Sequence, residues 1–186
     1  IRAFDEAIRL APDNAGYRRN RGIAYSQMGQ AGKALEDFGE ELRLAPSARA
    51  AFYLGNAHAD LEQYAEAIAA FDKAVEHDPL LAEAYPNRGN AYSELGRHER
   101  AVEDFNRTID LNPGLAIAYN SRATVLIALS RTSEAVTDLD EAIRLDAGYA
   151  EAYGNRGAVL ITLGLYDRAL ADLDEAIRLD PTDSGP

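Results

Sequence analysis

Asparagines recur along this chain at fixed places beside a repeated small residue. Asn20, Asn87 and Asn155 stand two residues before a recurring small residue, and Asn56 and Asn90 directly follow it. An asparagine amide offers both a donor and an acceptor, the two groups that an extended backbone needs in a partner. These five side chains are therefore candidates for contact with a ligand. The alternative is that they cap helices or hydrogen-bond within the fold.

A second set of polar residues couples arginine to aspartate. An arginine stands just before the small residue in four places, and an aspartate stands just before a later phenylalanine or leucine. The four combinations are Arg21/Asp37, Arg88/Asp104, Arg122/Asp138 and Arg156/Asp172. Leu54 and Ala70 replace both partners together in one stretch. Because an unpaired, partly buried charge is costly, this joint loss predicts an ion pair within each repeated segment rather than a row of ligand-binding arginines.

When the repeated segments of the chain are aligned, each column contains equivalent positions. One acidic residue falls in a column that is otherwise apolar. Glu41 aligns with Ala7, Ala74, Ala142 and Ala176, so its side chain is expected to be packed. A packed carboxylate needs a cation, and Arg49 is the nearest basic candidate along the chain.

Catalytic and metal-binding patterns are missing from the sequence. His58, His77 and His98 are scattered, and none has a second ligand at metal-binding spacing. No glycine-rich phosphate loop or nucleophile motif is present. We therefore predict a non-catalytic protein without metal or cofactor.

Charge and composition narrow the class of partner. The net charge of −12 disfavours nucleic acid and anionic membrane surfaces as partners. No apolar run approaches the roughly 20 residues of a spanning helix, and no signal peptide is visible. We expect a soluble protein, with the cytoplasm favoured, although the absence of cysteine leaves the redox compartment undetermined. Because the chain begins at Ile1, inside a repeated segment, we also expect it to be part of a longer protein.

The residues discussed so far lie on an internal repeat. Four kinds of residue recur every 34 positions, with one step of 33: a small residue, an alanine, an aromatic residue or leucine, and a proline. The column of small residues is Gly22, Gly55, Gly89, Ala123 and Gly157. Repeats of this period indicate stacked supersecondary units. Each unit reads as two helices joined by a turn at Gly29, Glu62, Gly96, Ser130 or Gly164, where glycine supplies the left-handed conformation that ends a helix.

The columns divide the chain into a half repeat, five full repeats and a tail. The predicted boundaries are 1–14 (a second helix only), 15–47, 48–81, 82–115, 116–149, 150–183 and the tail 184–186.

The period and the small-x-x-Tyr, Ala-x3-Phe and Pro positions resemble the tetratricopeptide repeat (TPR) family. The resemblance implies an all-α fold, a right-handed α-solenoid of helix–turn–helix repeats whose first helices line a concave groove for an extended peptide. The asparagine row is similar to the asparagine ladder of some members, with Tyr53 and Ser121 interrupting it, and this resemblance implies that Asn20, Asn56, Asn87, Asn90 and Asn155 contact the bound peptide. Other members clamp an acidic chaperone tail with cations that are missing here. In one frame the clamp positions hold Phe52, Asn56, Asn87, Ile117 and Ser121.

We therefore predict a protein-interaction scaffold that binds a neutral-to-basic peptide segment. The middle repeats offer polar and acidic side chains, whereas the last two offer Ile127 and Ile161 for a hydrophobic anchor. Two alternatives remain open. The chain could be a self-associating assembly or spacer module that joins weakly through its ends, or it could be the adaptor region of a larger multidomain protein.

Overall fold

The computed structural model describes residues 1–181, and every regular element in that range is an α-helix. The chain divides into two compact units, Ile1–Gly96 and the unit that begins at Arg97. The first unit contains α1 (Arg2–Leu10), α2 (Ala15–Gln27), α3 (Ala31–Leu44), α4 (Ala48–Asp60), α5 (Tyr64–His77) and α6 (Ala84–Glu94). The second contains α7 (His98–Leu111), α8 (Ala116–Ala128), α9 (Thr132–Leu145), α10 (Ala150–Thr162) and α11 (Tyr166–Leu179).

Within each unit, successive helices pack side by side in chain order, which is the arrangement of an all-α solenoid of repeats. The even-numbered helices α2 to α10 carry the small column, and we call them first helices; α1 and the odd-numbered helices are second helices. The boundary between the units falls between α6 and α7, inside the predicted repeat 82–115. The predicted tail 184–186 and the last two residues of the predicted repeat 150–183 lie outside the described residues.

The turn inside each helix pair adopts the left-handed conformation that the sequence predicts. Gly29, Gly96 and Gly164 have φ values of 67°, 68° and 72°, and the non-glycine residues Glu62 and Ser130 have φ values of 58°. Glycine reaches this region without steric cost, whereas glutamate and serine do so at the expense of backbone strain. The left-handed turn therefore occurs at the same place in each repeat whether or not the residue there is glycine.

In a helix pair, the glycine of the first helix lies against an aromatic ring of the second helix, and the two helices pack closely at this contact. A Cβ atom on Gly22 would lie 2.7 Å from the ring of Phe38, and one on Gly55 would lie 2.5 Å from the ring of Phe71. Both phenylalanines are buried, and Ala67 is also fully buried beside Phe71. The small column is therefore needed because the side chain of the second helix fills the space where a Cβ atom would project.

Glu41 is buried on α3, but its cation differs from the one that we predicted. Arg19 on α2 approaches Glu41 to 3.5 Å, whereas Arg49 lies 3.8 Å from Glu83. The reason is that α2 packs directly on α3 and brings Arg19 over the carboxylate. Burial raises the pKa of Glu41, and the positive charge of Arg19 only partly opposes that effect. The Oε2 atom of Glu41 has no hydrogen-bond partner among the described residues.

Candidate functional site

The arginine column forms ion pairs inside the helix array. Each pair has two nearly parallel hydrogen bonds of 2.6–2.7 Å, from the Nε and Nη2 atoms of the arginine to the two carboxylate oxygens. The pairs are Arg21 with Asp37, Arg122 with Asp138 and Arg156 with Asp172. The predicted ion pair is confirmed at these three places. Of the fourth combination, Arg88 belongs to the first unit and Asp104 to the second.

Each arginine also reaches the preceding second helix, which the sequence reasoning missed. The remaining Nη1 atom donates a hydrogen bond of 2.6–2.7 Å to a residue one helix earlier. These bonds join Arg21 to Asp5, Arg88 to Asp72, Arg122 to Asn106 and Arg156 to Asp140. We call this three-residue arrangement the arginine clamp. Where Leu54 replaces arginine, the corresponding residue of the preceding helix is Gly39.

The clamp leaves these arginines unsuited to ligand binding. Hydrogen bonds to Asp37 raise the pKa of Arg21 above its ordinary value despite partial burial, and Asp172 does the same for Arg156. The guanidinium groups are therefore charged and engaged on both sides. Their function is to join neighbouring helices of the array.

A groove lies on the first helices of the first unit. Its volume is about 590 Å³. It is lined by Ile23, Ser26, Phe38, Tyr53, Asn56, Ala59, Asp60, Tyr64, Asn87, Asn90, Ala91 and Glu94. Three of the five predicted asparagines are thus brought together. Asn20 is exposed on α2 and is not among the lining residues.

Two of the groove asparagines hold each other in place. The Nδ2 atom of Asn87 on α6 donates a 2.8 Å hydrogen bond to the Oδ1 atom of Asn56 on α4. This bond uses one donor of Asn87 and the carbonyl of Asn56. The Oδ1 atom of Asn87 and the Nδ2 group of Asn56 retain capacity to accept and to donate. The pair can therefore offer one acceptor and one donor, both of which a peptide unit requires.

One end of the groove is acidic. Asp60 at the end of α4 and Glu94 at the end of α6 both line it, and no lysine, arginine or histidine is among the lining residues. Partial burial raises the pKa of the Tyr64 hydroxyl, and the nearby Glu94 and Glu62 carboxylates raise it further. A group with positive charge would be favoured at this end, whereas a carboxylate would be repelled.

In the second unit, the predicted asparagine takes part in an internal network. Asn155 on α10 donates a 2.9 Å hydrogen bond to Asn120 on α8. Asn120 is buried, and its Nδ2 group donates to Glu151 at 3.0 Å and to the Tyr149 hydroxyl at 3.1 Å. The amide nitrogen of Asn155 is therefore used within the fold, as the alternative interpretation proposed. Asn120 was missed because it stands alone in its column.

The exposed face of α8 and α10 is largely apolar. Ile117, Ile127 and Ile161 are 56%, 39% and 47% exposed. Thr124, Ala128 and Ala158 are also exposed on these two first helices. We call these six residues the apolar patch. Isoleucine on a helix is more often buried, so three exposed isoleucines on two first helices of one unit indicate an interaction surface.

Comparison with known families agrees with the internal repeat. Models of the tetratricopeptide repeat match residues 19–87, 52–116, 87–150 and 150–183. The chain belongs to the tetratricopeptide repeat family. A relative from Mycosarcoma maydis, the small glutamine-rich tetratricopeptide repeat-containing protein 2, is 38% identical over 80 residues. The match covers 42% of this TPR chain and only 23% of that protein.

Solved structures share the fold of this TPR chain. YrrB, described as a TPR protein with an unusual peptide-binding site, is 25% identical with a TM-score of 0.80; the match covers 97% of this chain and 94% of YrrB. MamA is 24% identical with a TM-score of 0.82, over 88% of this chain and 96% of MamA. MamA from Desulfovibrio magneticus RS-1 is 18% identical with a TM-score of 0.85, over 92% and 97%. The MamA similarities show the fold alone.

Two further structural features of the TPR chain concern metal ions and membranes. Within residues 1–181, no group of three or more histidine, cysteine, aspartate or glutamate side chains is placed to hold a metal ion. In the same range, no helix is both long and apolar enough to span a bilayer. The surfaces that stand out are the groove and the apolar patch, and both suit a protein partner.

Proposed function

We propose that this protein-interaction scaffold binds an extended peptide segment through its first helices. The observation that carries the proposal is the Asn56–Asn87 hydrogen bond in the groove of the first unit. It orients two amides from neighbouring helices so that one acceptor and one donor remain for a ligand. An extended peptide presents the matching N–H and C=O groups, which a folded surface has already paired.

The chemistry of the two faces supports a neutral-to-basic ligand with a small hydrophobic anchor. Asp60 and Glu94 make one end of the groove acidic, and the groove lining contains no cation. In the second unit, the exposed Ile127 and Ile161 of the apolar patch offer a surface for an aliphatic side chain. YrrB, which is 25% identical to this chain, is described as having an unusual peptide-binding site, and this similarity supports a peptide as the ligand.

The test begins with a display library of unstructured peptides of varied charge, screened against the full chain. Binders should be neutral to basic, and affinities would be measured by isothermal titration calorimetry. Asn87→Ala should weaken binding by about 0.5–1.5 kcal/mol, the contribution of one neutral hydrogen bond. Ile127→Glu should weaken binding more, because it places a charge where an apolar anchor is expected.

Matched variants separate binding from folding. Ala69→Glu adds the same charge to an exposed position on the second helix α5 and should leave affinity unchanged. Asn20→Ala tests whether the ligand extends past the lining of the groove along α2. The proposal fails if the library yields only strongly acidic peptides. It also fails if binding is the same in Ile127→Glu as in the unsubstituted chain.

A further inference from the structure

The acidic end of the groove is confined to two first helices, α4 and α6. Asp60 is the last residue of α4, and Glu94 is the last residue of α6. They share one column of the repeat, in which the other full repeats carry the uncharged residues Gln27, Ala128 and Thr162. Asn56 and Asn90 stand four residues before the two acids, so an amide and a carboxylate lie on one face of each helix. Among the described first helices, only α4 and α6 present this pair of polar groups, and they do so side by side.

The two carboxylates form an unfavourable arrangement in the chain alone. Hydrogen bonds between successive first helices join residues that are 31 or 35 positions apart, and Asp60 and Glu94 are 34 positions apart. Like charges on facing helices repel each other, and the negative end of each helix dipole adds to the repulsion. Neither carboxylate has an ion-pair or hydrogen-bond partner among residues 1–181. Such a departure from favourable electrostatics, inside a groove, is expected where a ligand completes the site.

The chain itself shows which group satisfies two carboxylates beside a tyrosine. Arg156 donates hydrogen bonds to Asp172 and to Asp140, which lie on different helices. Its guanidinium carbon lies 5.6 Å from the centre of the Tyr153 ring. The acidic end of the groove offers the same kinds of group, two carboxylates on different helices and the ring of Tyr64, without a cation in the lining.

We propose that the acidic end of the groove is a subsite for one arginine of the bound peptide, held between Asp60 and Glu94. A planar guanidinium has five donors, so it can bond carboxylates on two sides and also stack on an aromatic ring such as that of Tyr64. A metal ion is not the expected cation, because no group of three suitable side chains within residues 1–181 is placed to hold one. This inference rests on the proposed peptide groove and names the residue that the groove selects.

Two pools of synthetic nine-residue peptides serve as the probe. The central residue is arginine in one pool and citrulline in the other, and the remaining positions are drawn from uncharged residues. Citrulline keeps the shape of arginine but lacks its charge. Binding of each labelled pool to the full chain would be measured by fluorescence anisotropy at low and high salt. The arginine pool should bind about tenfold more tightly, as expected for hydrogen bonds to charged groups, and only its affinity should fall as salt rises.

Substitutions in the chain test the two carboxylates. Asp60→Asn and Glu94→Gln should each weaken binding of the arginine pool about fivefold, as expected for an exposed ion pair, and leave the citrulline pool unchanged. Neither substitution should lower the thermal unfolding midpoint, because each removes a like charge from the end of a helix. Glu76→Gln is the matched control, since Glu76 is an exposed acid on the second helix α5 and does not line the groove. It should leave the affinity of both pools unchanged.

The outcomes separate this inference from the proposed function. Asn87→Ala should weaken both pools equally, because it removes an amide that the backbone of either pool would use. If the two pools bind equally well and Asn87→Ala weakens both, the peptide groove stands and the arginine subsite is overturned. The subsite is also overturned if Asp60→Asn and Glu94→Gln behave like Glu76→Gln, or weaken both pools alike. If neither pool binds the unsubstituted chain, the groove and the subsite are both overturned.

Discussion

The arginine clamp predicts strong energetic coupling between Arg122 and Asp138. Asp138 is only 5% exposed and accepts two hydrogen bonds from Arg122, whose side chain is 21% exposed. Arg122→Leu leaves a buried carboxylate without its cation, which should cost about 3–5 kcal/mol of stability. Asp138→Ala should cost less, about 2–3 kcal/mol, because Arg122 keeps Asn106 and some contact with water.

The double substitution should be milder than the sum of the two single ones. Arg122→Leu with Asp138→Ala reproduces the Leu54/Ala70 combination that one repeat already contains. It strands no buried charge, so we expect a loss of about 1–2 kcal/mol and a coupling energy of at least about 3 kcal/mol. Urea unfolding followed by circular dichroism measures the free energies. Amide exchange in α8 and α9 shows whether the loss is local.

An exposed pair provides the reference for this cycle. Arg144 and Glu141 form a hydrogen-bonded pair three residues apart on α9, with Arg144 largely exposed. Their coupling energy should be much smaller than that of the buried pair, because water screens charges at the surface. If the losses at Arg122 and Asp138 are additive, or if their coupling is no larger than that of the exposed pair, the clamp does not contribute as argued.

Three other predictions concern single residues. Glu41→Gln should stabilise the folded state relative to the unsubstituted chain, and increasingly so as the pH rises above about 4. Burial raises the pKa of Glu41 in the folded state, so the protonated carboxyl group contributes to stability and this contribution is lost when the group ionises. Urea titrations at several pH values test this. Arg43 lowers the pKa of Glu40, so the effect of Glu40→Gln on stability should change with pH in the opposite sense. Ser130→Gly should raise stability in thermal unfolding by about 0.5–1 kcal/mol by relieving its left-handed backbone. Gly55→Ala should lose about 1–3 kcal/mol through contact with a buried ring, whereas Gly154→Ala, with open space around it, should gain about 0.5–1 kcal/mol.

Features that depend on one repeat were predictable from the sequence. The helix pairs, the left-handed turns and the Arg–Asp ion pairs each involve residues of a single repeat. Aligning the repeats with one another therefore reveals them. The partner of Glu41 was wrong because the prediction used nearness along the chain, whereas packing of α2 on α3 decides it. The Asn87–Asn56 bond joins residues 31 positions apart, on different first helices and in different columns, so no column marks the pair.

The acceptor that the preceding second helix contributes to the arginine clamp was visible in the sequence. Its role is apparent only once the packing of neighbouring helices is known. Gly39 stands where other second helices carry the aspartate or asparagine that serves the following repeat. In that following repeat, arginine and aspartate have become Leu54 and Ala70. Three changes therefore occur together, two in one repeat and one in the repeat before it. A clamp that joins neighbouring helices requires this joint loss, since retaining any one member would leave a polar group without its partners.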